Sequence, residues 1–243
     1  MRSLILILFS VVFASHVYGS NFKFEGVLGQ PVENINNMNA NAQSFIPYNP
    51  VIVEIGAFEG AGTLSLARTY CYGKVFAFEP HPETYSRLVE NTKSFENVSP
   101  INLAIACLNG TMQLQGRGSQ ASLPLGKKGG NQILTSSDTI DVPSVVLDDW
   151  CKWNKIDHID FLRLDIGGQE RQILESSPEV LRTVLVVVTK TYLSVPGNAP
   201  NSYYRLRHFL ETQGFELLSH WYEENKEGEA TFVRKYLYDS LFR

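Results

Sequence analysis

The sequence is poor in cysteine and carries no strong excess of either charge. Its three cysteines, Cys71, Cys107 and Cys151, are far apart and never form a CxxC pair. Zinc ribbons and thioredoxin-type redox motifs need closely paired cysteines and are excluded, and an odd count is not that of a disulfide framework. The expected role of all three is that of small apolar fillers. Lysine and arginine number 21 against 25 acids, a net charge of −4. Apart from the pair Lys127-Lys128 there is no basic stripe, so a general nucleic-acid binder's electrostatic footprint is missing. His16, His158, His208 and His220 lie apart without ligand spacing, and no metal site is expected. No apolar run approaches the roughly 20 residues that a spanning helix requires. What the 243 residues do contain is 44% hydrophobic and 12% aromatic side chains. That is enough to bury a core without covalent staples, and it argues against intrinsic disorder.

The N-terminus reads differently from the body. Arg2 is followed by an apolar run from Leu4 to Ala14, broken only by Ser10, and then by small and polar residues through Gly19 and Ser20. This is the three-part pattern of an export signal. Residues 1–19 are therefore expected to be a signal peptide or membrane anchor, and the protein exported or membrane-associated. If those residues are instead a buried first helix, the protein is cytoplasmic. Residues 20–49, rich in Asn, Gln and Pro, read as an arm or linker, and 50–243 as one domain.

Within that domain strands alternate with helices. Val51–Ile55 is a short buried strand between Pro50 and Gly56, followed by a helix to about Tyr70. Lys74–Glu79 is the second strand, and a helix with Pro82 in its first turn runs to about Phe95. Ile101–Ala106 is a third strand. Residues 108–141, rich in Gly, Ser, Gln and Lys, read as an excursion with at most one hairpin. Val142–Leu147 is extended, and Asp148-Asp149-Trp150 opens a short helix. A strand over Ile159–Ile166, a helix over Glu170–Leu181, a strand over Val184–Val188 and a helix over Ser202–Gln213 follow. Phe215–Trp221 and Ala230–Tyr236 can pair as a hairpin. The alternation implies an α/β fold with a doubly wound, mostly parallel sheet and a C-terminal antiparallel hairpin.

Chemistry gathers at the first strand end. Glu54-Ile55-Gly56-Ala57-Phe58-Glu59-Gly60 places glycines where the backbone must turn sharply and approach a ligand. Glu79 closes the next strand, 23 residues after Gly56. A carboxylate there can take both ribose hydroxyls of an adenosine cofactor through charge-assisted bonds. The glycine spacing, Gly56-xxx-Gly60-x-Gly62, breaks the GxGxxG pattern of a pyrophosphate cradle. An NAD-dependent dehydrogenase is thus a remote alternative, and the acidic Glu54 suits a cationic ligand such as S-adenosylmethionine better.

Four segments in order, VEIGAFEGAGTLSLA, KVFAFEPHPETYSRLVENTK, VPSVVLDDW and IDFLRLDIGGQE, resemble those of the FkbM-type S-adenosylmethionine-dependent methyltransferases. The resemblance covers about residues 50–220. It implies the class I methyltransferase fold and O-methylation of a hydroxyl on a sugar, glycolipid or natural product. It implies that Glu54, Gly56, Ala57 and Gly60 line the methionine side of the cofactor, that Glu79 holds the ribose, and that Asp165 lies beside the transferring methyl. Methyl transfer needs an acceptor oxygen held in line and a group to take its proton. Asp165 is the first candidate for that proton and His81 the second. Asp148-Asp149 match the family's LDD, although a helix start favours acids there for structural reasons alone.

Two departures stand out. The family pattern Asp-x-Glu-Gly-x-Glu is here Asp165-Ile166-Gly167-Gly168-Gln169-Glu170, with Gly167 in place of an acid and Arg163 in place of the usual lysine. The next strand usually ends in an acid, whereas here Val188 is followed by Thr189-Lys190-Thr191. These changes fall on the acceptor side. They leave open a non-catalytic exported protein on the same fold.

Overall fold

The computed structural model describes residues 23–26, 42–115, 139–193, 202–222 and 227–242. The expected signal or anchor over 1–19 lies outside these residues, as does most of the excursion. The elements are β1 (Lys23–Gly26), β2 (Val51–Ile55), α1 (Ala61–Thr69), β3 (Lys74–Phe78), α2 (Pro82–Thr92), β4 (Val98–Ile101), β5 (Ala104–Ile105), β6 (Gly110–Gln115) and β7 (Thr139–Val145). After them come α3 (Leu147–Asn154), β8 (Phe161–Leu164), α4 (Glu170–Glu175), α5 (Pro178–Leu181), β9 (Val186–Tyr192), α6 (Tyr203–Thr212), β10 (Phe215–Tyr222), β11 (Glu227–Arg234) and α7 (Lys235–Phe242).

Eight strands form one sheet in the order β1-β10-β11-β9-β8-β2-β3-β4. The strands from β9 through β4 are parallel neighbours, and β11, β10 and β1 add antiparallel edges. This is an α/β fold of the class I methyltransferase type. Parallel strands are covered on both faces, so their sequences are apolar throughout. One face packs Val53, Ile55, Leu162, Leu164 and Phe232 with Trp150 and Leu210. The other packs Ile52, Phe161, Val186 and Val233 with Ala67 of α1. Chain order reverses between β2 and β8, which opens a crevice at their carboxyl ends.

Several local expectations are corrected. The arm contains a strand, since β1 pairs with β10 from Lys23↔Tyr222 to Gly26↔Ser219. Ala42 and Phe45, also from the arm, enter the core. The strand over 101–106 divides, with β4 in the main sheet and β5 in a small sheet ordered β5-β7-β6. The helix over 170–181 divides at Pro178, which opens α5. The last strand ends at Arg234, and α7 takes up the residues that follow. Of the cysteines, Cys151 is buried but Cys71 is exposed, so the filler role fails for Cys71.

Candidate functional site

The turn after β2 is pinned from both sides. The Gly56 and Ala57 amides both donate to the Phe78 carbonyl, at 3.0 and 2.9 Å. On the opposite side the Asp165 amide donates to the Ile55 carbonyl at 2.9 Å. Gly56 has φ of +86°, and a Cβ there would stand 2.2 Å from the Asp165 carbonyl oxygen. Only glycine satisfies both conditions. Gly56, Ala57 and Asp165 are thus brought together at the crevice, with Gly60 closing the turn as the N-cap of α1.

Glu79, at the end of β3, is buried and heavily used. Its Oε2 accepts the Phe58 amide at 2.9 Å. Its Oε1 accepts the His81 amide at 2.9 Å and the Thr84 hydroxyl at 2.8 Å. One carboxylate therefore ties the glycine turn to the start of α2. A carboxylate offers about four acceptor positions, so capacity for a ligand hydroxyl is left.

His81 sits on the Glu79 side of the crevice. It occupies the N-cap position of α2 without a side-chain cap bond, and its Nδ1 is buried with no hydrogen-bond partner among the described residues. Strands β3 and β8 are separated by β2, roughly 10 Å across two strand spacings. His81 and Asp165 therefore follow strands on opposite sides of β2.

Glu54 stands beneath the turn, on the α1 face. It is wholly buried, with Oε2 accepting the Thr63 hydroxyl at 2.5 Å and Oε1 paired to Arg163 Nη1 at 2.6 Å. Burial raises its carboxyl pKa, while Arg163 and Thr63 pull it back. A Cβ at Gly62 would lie 2.3 Å from Glu54 Oε1 and 2.4 Å from Arg163 Nη1, so glycine there makes room for the ion pair under α1. Arg163 Nη2 reaches on to Glu229 at 3.4 Å.

The Asp165 side of the crevice is built on β8, β9 and β11. Asp165 follows β8, and its Oδ1 lies 3.6 Å from Lys190 Nζ. Lys190 also approaches Glu227 Oε2 at 3.8 Å. Behind them Gly167 and Gly168 both adopt positive φ, +79° and +112°. The buried Glu170 carboxylate accepts the Gly168 amide at 3.0 Å and the Ile166 amide at 3.4 Å, holding that double turn. Burial pushes Glu170 up to about 7 despite these amides. Burial likewise raises the pKa of the Tyr192 hydroxyl.

Lys190, Glu170 and Glu227 were not picked out as site residues by sequence reasoning. No sequence signal marks Lys190: its place next to Asp165 follows from the register of β8 on β9, Arg163↔Val188 and Leu164↔Thr189. Asp148 proves to be structural, accepting the Glu179 and Val180 amides at 2.9 and 2.8 Å and capping α5. Asp149 accepts the Asn109 side-chain amide at 2.6 Å. No cluster of three or more metal-ligating side chains occurs among the described residues.

Residues 54–217 match the Methyltransferase FkbM domain. The 2-O-methyltransferase NoeI of Sinorhizobium fredii is 23% identical over 153 residues, covering 58% of this chain and 63% of that protein. The hexuronic acid methyltransferase AglP of Haloferax volcanii is 22% identical over 122 residues, covering 50% and 48%. The chain thus spans less than two thirds of either relative. Among solved structures, methyltransferase FkbM from Methylobacillus flagellatus superposes with a TM-score of 0.51 at 12% identity, over 76% of this chain and 44% of that one. A fibrillarin pre-rRNA processing protein of Methanococcus jannaschii gives 0.50 at 13% identity, over 79% and 69%. These likenesses concern the fold alone. With well more than half of the chain matched by the domain, the chain belongs to the FkbM methyltransferase family.

Proposed function

We propose that the protein is an S-adenosylmethionine-dependent O-methyltransferase whose acceptor is a hydroxyl on a sugar, glycolipid or natural product. The observation that carries this reading is the juxtaposition of Gly56, Asp165 and Glu79 around one crevice within the matched domain. The printed activities of NoeI and AglP, a 2-O-methyltransferase and a hexuronic acid methyltransferase, support the hydroxyl and sugar part.

The residues present fit the cofactor. His81 Nδ1 is a buried polar atom without a hydrogen-bond partner among the described residues, at the end of the crevice where Glu79 keeps acceptor capacity. Glu79, with its remaining acceptor position, would take a ribose hydroxyl, and the backbone of Gly56, Ala57 and Gly60 would face the methionine portion. Glu54 would act from below, fixing the turn through Thr63 and Arg163. Bound S-adenosylmethionine supplies an electrophilic methyl group on a sulfonium. Asp165 would orient the acceptor hydroxyl and accept its proton. Export or membrane association through residues 1–19 belongs to the same proposal, on the strength of the Arg2 and Leu4–Ala14 pattern.

Thermal unfolding with and without excess S-adenosylmethionine, with NAD as control, tests the reading. A ligand at 100 times its Kd adds about 2.7 kcal/mol, or roughly 5–10 °C in Tm for a domain of this size. A shift with S-adenosylmethionine alone is expected, and it should vanish in Glu79→Ala while far-ultraviolet circular dichroism is kept. No shift with either ligand turns the interpretation to a non-catalytic exported protein on this fold.

A further inference from the structure

Beside Asp165 the ammonium of Lys190 stands among carboxylates. Lys190 Nζ lies 3.6 Å from Asp165 Oδ1 and 3.8 Å from Glu227 Oε2, and 5.8 Å from the centre of the Tyr192 ring. The neighbouring cation, Arg163, is engaged with Glu54 and Glu229. Lys190 and Asp165 both reach solvent, their side chains 34% and 40% exposed, so each meets whatever enters the crevice. At 3.6 Å their contact is an ion pair that steers the carboxylate without a short hydrogen bond to lock it.

We propose that Lys190 is a positioning residue for Asp165 that also sets how strongly the site prefers a cationic ligand over its neutral counterpart. The inference rests on the cofactor reading above. S-adenosylmethionine carries a sulfonium, and S-adenosylhomocysteine, left after methyl transfer, has a neutral thioether in its place. Carboxylates at the edge favour the first over the second. Lys190 offsets part of their charge, narrows the preference and lets the demethylated product compete. A neutral residue at position 190 leaves Asp165 and Glu227 without this ammonium and widens it.

The test is calorimetric titration of the full chain with both ligands at low ionic strength, for the wild type, Lys190→Met and Lys190→Arg. The ratio of S-adenosylmethionine to S-adenosylhomocysteine affinity is expected to rise about threefold to tenfold in Lys190→Met and to stay at the wild-type value in Lys190→Arg. High salt should shrink the difference. Lys190→Gln, measured in the same way, serves if the methionine variant does not fold, with the same rise expected. A lysine that only braced β9 against β11 would weaken both ligands together, and an unmoved ratio overturns the proposal while leaving the cofactor reading intact. Failure of the wild type to bind either ligand overturns both.

Discussion

Glu170 shows how one buried acid makes the stability of a turn pH-dependent. It lies under the Gly167-Gly168 turn, and its carboxyl is raised from an ordinary 4.5 to about 7, chiefly by burial. Between those two values the folded state binds more protons than the unfolded one, so stability falls as pH rises through the window. The penalty is fully developed above 7 and absent below 4.5, and is at most on the order of 3 kcal/mol. Glu170→Gln keeps an oxygen for the Gly168 and Ile166 amides and removes the ionisation. It is expected to raise Tm relative to wild type at pH 8 and to leave it unchanged near pH 4, as followed by calorimetric unfolding at both values. An equal effect at the two pH values contradicts the assignment. His220 acts in the opposite sense. Burial, with a smaller contribution from Arg207, holds its imidazole at about 4, below the ordinary 6.5. Stability it lends above pH 6.5 is therefore lost as pH falls toward 4. At this scale the sequence pointed to residues by their place in a local pattern. Glu54, Gly56, Ala57, Gly60 and Glu79 stand at strand ends and turns that a pattern announces. It did not reveal that Glu54 is sealed by Arg163, 109 residues away, or that Lys190 faces Asp165. Those contacts depend on inter-strand register, which no local pattern encodes.

Among the elements, α5 shows why one expected helix became two. Pro178 cannot continue α4, because a proline in a helix interior removes a hydrogen bond and clashes with the preceding turn. The second segment is a single turn, Pro178–Leu181, too short to persist without outside support. Asp148 of α3 supplies that support by accepting two of its orphan amides. Asp148→Ala is expected to cost about 1–2 kcal/mol, in the range of a lost N-cap, or roughly 2–8 °C in Tm. Asp148→Asn keeps an acceptor oxygen and should recover part of the loss. A variant as stable as wild type would show that α5 is held by packing alone. The apolar runs of β2, β3, β8 and β9 were legible because burial on both faces leaves its mark in composition. Strand β1 was not legible, since its four residues gain their conformation from pairing with β10. Strand β5, two residues long, depends in the same way on β7.

On the scale of the whole molecule, the site and the element that secures the opposite end of the sheet are far apart, and a single residue allows them to be separated experimentally. Arg234 ends β11, beside the entry to β9, at the amino edge of the parallel strands. Its Nε donates to the Val184 carbonyl at 2.8 Å, its Nη1 to Gln213 at 2.7 Å and its Nη2 to Leu181. The guanidinium also lies 4.0 Å from the centre of the Phe215 ring. One nearly buried cation thus joins the ends of α5 and α6 to the sheet through three carbonyls and an aromatic face. Arg234→Leu would leave those carbonyls without donors, each worth about 1–3 kcal/mol when buried and unsatisfied. A loss of about 3 kcal/mol or more is expected, lowering Tm by roughly 6–12 °C. Arg234→Lys can replace one of the three bonds and should fall between. Because the crevice opens at the carboxyl edge, the stabilisation produced by excess S-adenosylmethionine should be the same in Arg234→Leu as in wild type, measured as the ligand-dependent shift from each protein's own lower baseline. Loss of that shift in the variant would mean that the two edges of the sheet are coupled, and that the glycine turn around Gly56 holds its shape only while the far end of the sheet is tied.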